Sequence, residues 1–536
     1  MQKTSKSLII TAPALALFAT LLAALPCRAA DPARNQRPQL VLNIAIEGLR
    51  NDYLELLSEC FGKNGFNKLI HDGLVLDNVS YGPGIDASGA IAIINTGTEP
   101  SVSGIATANT YNVSRRLAVP TLLDPAKIGN YTDETLSPAA IRVSTLSDEL
   151  RIDGGGAAYS HAIAPNATDA IIMAGHAGNS AFWINDANGF WATTTHYREV
   201  PSPISTRNYK SPLSSRLDTI NWTPSLKLSE YPGLPAHKRF YPFSHTFTGN
   251  DPEKFRKFKT ASPVNSEVTN LAIEYIQTLK LGTREAMDML SVAYTLTPYV
   301  GATDTDARLE TMDAYIKLDQ DLARLIKTAE DAGSTVVILA GTPSVPSTAP
   351  DDPKWNLSNG EFSARKAVSL LNMYLIAKYG NGDWITAYHN STFYLNQDLI
   401  QNKNIDSEDL RADAAKFLMK MSGIANAFSI DDILEGRCSE QLKRNTIATT
   451  APDLFFNVIP GWTLIDDYSQ PQNPSRKTIR CSSAMAPAFI YAPNFIEHQK
   501  ISSEIDARRI APTVSRILRI RSPNAAAQPP IPLVFK

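Results

Sequence analysis

The run "QLVLNIAIEGL", residues 39–49, constrains the fold most. An almost continuous apolar stretch of this length suits a strand buried on both faces of a parallel sheet. The segment "NDYLELLSECFGKNGFNKLIHDG" follows with apolar residues at helical spacing and ends at Gly73. Two further runs, "STVVILAGT" (334–342) and "PAFIYAP" (487–493), have the same buried-strand character. The first of them is preceded by the amphipathic helix "ARLETMDAYIKLDQDLARLIKTAEDAG". On that helix Leu309, Met312, Ile316, Leu322 and Ile326 share one face, and the spacing places Asp313 and Lys317 as an i,i+4 pair outside. Strands alternating with helices predict an α/β/α sandwich.

Two stretches depart from that pattern. Residues 177–285 carry "AFWINDANGFWATTTHY" and a Pro-, Ser- and Tyr-bearing run to "FSHTF", as expected of an insertion of short strands and loops. Here Trp183, Trp191 and the tyrosines of 209–241 are expected to pack the insertion rather than to line a groove. Residues 343–450 open with "PSVPSTAPDDP" and continue as helix, the hairpin-like "AYHNSTFYLN" and more helix. The core is thus expected mainly in 37–176, 286–342 and 451–520.

With 536 residues, 43% apolar and 19% charged, the chain has the composition of a soluble globular protein. The formal charge is −2, and the first 30 residues hold Lys3, Lys6 and Arg28 and no acid. Without them the chain is more acidic still, which argues against a nucleic-acid partner. Those residues read as a signal peptide: a basic start, the apolar "LIITAPALALFATLLAAL", and small residues for cleavage near Ala29 or Ala30. The mature chain is therefore expected outside the cytoplasm, without a membrane span. Lipid attachment at Cys27 is disfavoured by Pro26. The four cysteines at 27, 60, 438 and 481 show no C-x-x-C or Cys/His cluster. If Cys27 leaves with the signal peptide, the three that remain allow at most one disulfide, and buried thiols are expected.

Several fragments, in order, carry a resemblance: "RPQLVLNIAIEGLRNDYL", "GFNKLIHDGL", "INTGTEPSVSGIA", "MAGHAGNSAFWINDANGFW", "TPYVGA", "YIKLDQDL" and "NVIPGW". Together they resemble the alkaline phosphatase superfamily, in particular its PafA-type secreted phosphate-monoesterases and the related type I phosphodiesterase/nucleotide pyrophosphatase branch. The resemblance implies an α/β/α sandwich of the alkaline phosphatase type with two inserted α+β cap segments. It also implies two zinc ions that activate a threonine or serine and clamp the phosphoryl oxygens. A lysine, an arginine and an asparagine would neutralise the remaining charge.

Followed residue by residue, that chemistry is largely missing. Glu47 stands at the first metal-binding aspartate, and Asp86 in "DASGA" at the nucleophile position. Pro298 and Ala302 replace an aspartate and a histidine, and Gly341 and Thr342 an aspartate–histidine pair. Met485 aligns with the last histidine, with Ala484 one residue away. The phosphate-binding lysine and arginine fall on Asn166 and Thr168, and the helper asparagine on Ala108, with Asn109 one place off. Only Glu47 and Asp86 remain plausible metal ligands, so no metal cofactor is expected.

The implied function is a secreted pseudoenzyme that binds, scaffolds or regulates, with a protein as one possible partner. The alternative is a divergent phosphate-ester hydrolase in which Asp86 and Glu47 hold a single divalent ion, with Asp304 and Asp306 as further candidates. Those two aspartates equally suit a helix cap before Ala307. His176, in "AGH", is expected to be structural. No G-x-S-x-G elbow is present, and "DGGGAA" (153–158) lacks the lysine of a phosphate loop.

Overall fold

The computed structural model describes residues 37–234, 236–248, 251–301, 307–343, 360–469, 474–479 and 485–536. The expected signal peptide, Cys27, Ala302, Asp304, Asp306, Cys481 and Ala484 lie outside these residues. From Pro38 onward the chain forms one compact unit. At its centre is a ten-stranded sheet, here numbered in chain order: β1 (Leu40–Glu47), β2 (Leu74–Ser80), β3 (Gly129–Asn130), β4 (Ser160–Ala164), β5 (Ser180–Ile184), β6 (Trp191–Thr194), β7 (Asp288–Thr295), β8 (Thr335–Thr342), β9 (Met485–Tyr491) and β10 (Gln499–Asp506). The strand order is β10-β2-β9-β8-β1-β7-β4-β5-β6-β3. The middle strands β8, β1, β7, β4 and β5 are parallel, and β9 runs antiparallel to both β8 and β2.

Why β1 sits at the centre follows from its side chains. Leu42, Ile44 and Ile46 pack on one face beneath the helices α4 (Pro263–Leu279) and α5 (Arg308–Ala332). The opposite face is covered by α1 (Ala87–Thr96), α2 (Leu146–Asp153), α3 (Ala167–Ala174) and α6 (Ile510–Leu518). On that second face Val41 and Ala45 are apolar, and the buried Asn43 donates to Asn95 of α1 at 2.8 Å and to Ser291 of β7 at 3.3 Å. A buried amide with defined partners fixes the seat of α1 more sharply than apolar contact alone.

Three placements differ from the sequence expectation. The strands β5 and β6 belong to the central sheet, with Trp183 and Trp191 each 1% exposed, so core structure continues past residue 176. Within the first insertion, Trp222 and Tyr231 are buried but Tyr209 and Tyr241 are exposed. The second insertion reaches beyond residue 450. Leu454–Val458 joins a four-stranded sheet with the hairpin Ile385–His389 and Thr392–Leu395, and Trp462–Asp466 and Ser475–Thr478 join a three-stranded one. With the helices Ala364–Tyr379 and Ser407–Leu418 these sheets enclose a separate apolar core, and the whole forms a cap.

Asp313 is a further correction. It is fully buried rather than paired with Lys317 on the outside. Its carboxylate accepts from Trp222 Nε1 at 2.6 Å, Ser225 N at 2.6 Å and the Tyr231 hydroxyl at 2.8 Å. Three donors satisfy a buried charge and anchor the first insertion to α5. Cys60 and Cys438 are free thiols, half-buried rather than fully buried. No helix among the described residues is long and apolar enough to cross a membrane.

Candidate functional site

The parallel strands end together at one edge of the sheet. Register pairs Glu47, the last residue of β1, with Thr295 of β7 on one side and Thr342 of β8 on the other. Side chains alternate along a strand, so Glu47 shares its face with Ala45 and Asn43, the face covered by α1 and α3. The N-termini of those two helices carry Asp86 and Asp169 to the same place.

Asp86 is the N-cap of α1. Its Oδ1 accepts the Gly89 amide at 3.0 Å and its Oδ2 the Ala108 amide at 2.7 Å. Ala108 thus contributes its backbone where the family places an asparagine side chain. Asp169 lies in the first turn of α3, is 5% exposed, and accepts the Ser88 hydroxyl at 2.6 Å. Asn166, the N-cap residue of α3, is exposed and holds Asp169 from the same helix end, while Thr168 is buried.

Electrostatics at this edge are strained by proximity and burial. Burial, then Asp169, then Asp86, push the Glu47 carboxyl up to about 8, against a smaller pull from Lys477 of the cap. Burial raises Asp169 to about 6, with Asp86 adding to the rise and Ser88 opposing it. Asp86 is also raised by burial, although the amides of Ala108 and Gly89 favour its charged form. Carboxylates that share a low-dielectric recess hold protons into the neutral range. His389 of the cap interacts with Asp86 and is held below its ordinary range by burial.

The other expected positions gather at the same edge without donors suited to zinc. Pro298 lies three residues past β7 and is half-buried. Gly341 is boxed in: a Cβ there would stand 3.0 Å from Leu49 Cβ and from the Pro487 carbonyl oxygen, and 3.1 Å from Ala486 Cβ. Its own carbonyl accepts the buried Tyr81 hydroxyl at 2.6 Å. Thr342 is fully buried, and its Oγ1 has no hydrogen-bond partner among the described residues. Met485 opens β9 with 38% of its surface exposed. Among the described residues, no group of three or more His, Cys, Asp or Glu is placed to hold a metal ion. The donor set does not fit a two-zinc centre.

The turn before Asp86 is clamped by the cap. Asn445 donates to the Tyr81 carbonyl at 2.9 Å and to the Pro83 carbonyl at 2.8 Å. Gly82, at φ 76°, lies so close that a Cβ would meet Gln441 Cβ at 2.9 Å. Only glycine combines that backbone with that approach.

Asp169, His389 and Lys477 were not legible as partners of Asp86. Asp169 adjoins Thr168 in "NATDAIIMAGH", three residues from Asn166, and helical spacing alone would have put it beside the position of interest.

Residues 41–482 match the type I phosphodiesterase / nucleotide pyrophosphatase family. The chain is 24% identical over 520 residues to alkaline phosphatase PafA of Elizabethkingia meningoseptica, covering 92% of this chain and 94% of that protein. It is 26% identical over 526 residues to alkaline phosphatase PhoV of Synechococcus elongatus, covering 92% of each. A protein of Myroides odoratus named calcium-transporting ATPase is 24% identical over 535 residues, covering 92% of this chain and 94% of that one. The crystal structure of wild-type alkaline phosphatase PafA superposes with a TM-score of 0.78 at 23% identity, over 92% of this chain and 98% of that one. The chain belongs to the type I phosphodiesterase / nucleotide pyrophosphatase family, in the PafA-type branch of the alkaline phosphatase superfamily.

Proposed function

We propose that this is an exported pseudoenzyme of the superfamily, which has given up metal-dependent phosphate-ester hydrolysis and acts by binding, as a receptor, scaffold or regulator. Export rests on the N-terminal sequence. The observation that carries the loss of chemistry is the state of Asp86: each of its carboxylate oxygens already accepts a backbone amide. Those amides fix the carboxylate as a helix cap and a loop tie and draw off its charge, which lowers its nucleophilicity. No described group of residues is placed to hold the cation that would screen it from a phosphate ester.

Charge argues in the same direction. A phosphate dianion would meet Glu47, Asp86 and Asp169, while Asn166 and Thr168 supply no compensating cation. The purified mature protein should retain no stoichiometric zinc after dialysis and should not hydrolyse a chromogenic phosphate monoester or diester. Elemental analysis finding two zinc ions per chain, with turnover of either ester, would sink this function.

A further inference from the structure

Resting on the pseudoenzyme function, we propose that the recess at the C-terminal edge of β1 and β8 binds a small primary ammonium group, held by Glu47, Asp86 and the Thr342 hydroxyl. Two independent observations meet there. The Glu47 carboxylate is half-buried, stands beside two other carboxylates, and accepts no hydrogen bond from any described residue. The Thr342 Oγ1 is fully buried and unpartnered among the described residues. Parallel register places Thr342 directly beside Glu47, so both side chains stand on the face that meets Asp86 and Asp169. Buried hydroxyls almost always find a partner, and an unmet one beside an unmet carboxylate leaves room for a donor that is not among the described residues.

The chemistry selects the donor. An anion is repelled by three carboxylates. A metal ion is disfavoured because no described group of carboxylates and imidazoles has the spacing to ligate one. A guanidinium fork spans the two oxygens of one carboxylate and is too wide to converge on Glu47, Asp86 and the Thr342 hydroxyl at once. Tighter binding of methylguanidinium than of ethylammonium would therefore overturn the choice of head group. An alkylammonium has three N–H donors on a compact head, enough for the two carboxylates and the threonine hydroxyl. Lys477 of the cap carries the same group and acts on Glu47 and Asp86 without a hydrogen bond to either, so it competes with the ligand rather than forming part of its cradle.

The test is calorimetric titration of the full mature protein with ethylammonium chloride at about pH 9, above the raised Glu47 value and below that of the ammonium, with methylguanidinium, tetramethylammonium, magnesium and zinc as separate arms. Ethylammonium should saturate. Glu47→Gln should weaken it roughly tenfold, and Thr342→Val severalfold without lowering the thermal midpoint, because the lost hydroxyl had no partner to lose. Lys477→Met should tighten it. Tetramethylammonium, equal in charge but without N–H donors, should not compete. Absence of saturation to about 100 mM, equal binding of tetramethylammonium, or indifference to Glu47→Gln would each overturn the ammonium site. Those results would leave the pseudoenzyme function standing; stoichiometric zinc with ester turnover would remove both.

Discussion

The two ends of α3 hold polar clusters built to opposite rules. At its N-terminus, Asp169 joins Glu47 and Asp86, and one of these three carboxylates, Glu47, accepts no hydrogen bond from a described residue. Past its C-terminus, His176 and Asp148 form a cluster in which every group is met. Asp148, 4% exposed, completes a capping box with Thr145 and accepts the Thr145 amide at 2.9 Å, the Ala177 amide at 2.7 Å and His176 Nδ1 at 3.1 Å. The His176 ring reaches the Ile141 carbonyl through Nε2 at 2.9 Å. A satisfied cluster holds a fold together, whereas an unsatisfied one costs stability and leaves acceptors open. An unmet carboxyl at one end of a helix, with full partnership at the other, is what the proposed loss of chemistry leads one to expect.

The sharpest way to break that comparison is Asp148→Ala. Removing the carboxylate leaves the Thr145 and Ala177 amides and the His176 ring unmet, and should cost about 3 kcal/mol. Denaturant unfolding measures it. A cost no larger than that of the same change at Asp86 would erase the distinction between the two ends.

Glu47→Gln should act with the opposite sign. Its carboxyl rises from 4.5 to about 8 on folding, so the folded protein binds a proton that the unfolded chain releases. Stability from this group is therefore present at low pH and lost as pH rises from 4.5 through about 8. The glutamine variant should match wild type near pH 4 and exceed it above pH 8, by roughly 2–4 °C in thermal midpoint. A lower midpoint at high pH would mean that the carboxylate is partnered after all.

How much of this was visible beforehand depended on range. The strands β1, β8 and β9 were legible because continuous apolar runs admit few alternatives. β5 and β6 were not, since "SAFWI" and "WATT" read equally well as loop strands until paired with β4 and each other. Asp313 at i,i+4 from Lys317 followed the rule for an exposed helix face, and only the insertion folding back with Trp222 and Tyr231 buries it. The departures from the family's expected ligand positions could be read from the sequence because each position lies in or near a local motif. The partners of Asp86 could not: Asp169 reaches Ser88 across 81 residues, and His389 and Lys477 arrive from the cap.

His176 gives a pH test of the satisfied end. Both ring nitrogens face acceptors, so the doubly protonated ring makes both bonds, and the Asp148 hydrogen bond raises its pKa above 6.5. Its stabilisation should be complete below pH 6.5 and decline as pH rises through the raised value. The groups facing it are Asp148, His196, and the Ile141 and Pro138 carbonyls. His176→Gln should flatten the midpoint-against-pH profile above neutrality, with a modest loss because the ring is partly exposed. An unchanged slope would assign the titration elsewhere.

The smallest expected effect is at Asp86, where structure and chemistry are most easily confused. Asp86→Thr restores the family hydroxyl and keeps an acceptor able to cap α1 at Gly89, but it cannot also serve the Ala108 amide. One hydrogen bond is lost and one carboxylate is removed from a repelling group, so the net change should be about 1 kcal/mol or less. No phosphatase activity should appear, because a threonine needs a metal to lower its pKa and cations to receive the phosphoryl charge. Asp86→Ala removes both acceptors and should cost more than the threonine variant. Assayed with zinc and with magnesium, all three proteins should be inert. Magnesium-dependent turnover in wild type that disappears in Asp86→Ala would make the aspartate a working nucleophile, and the two ends of α3 would then differ because one of them still performs chemistry.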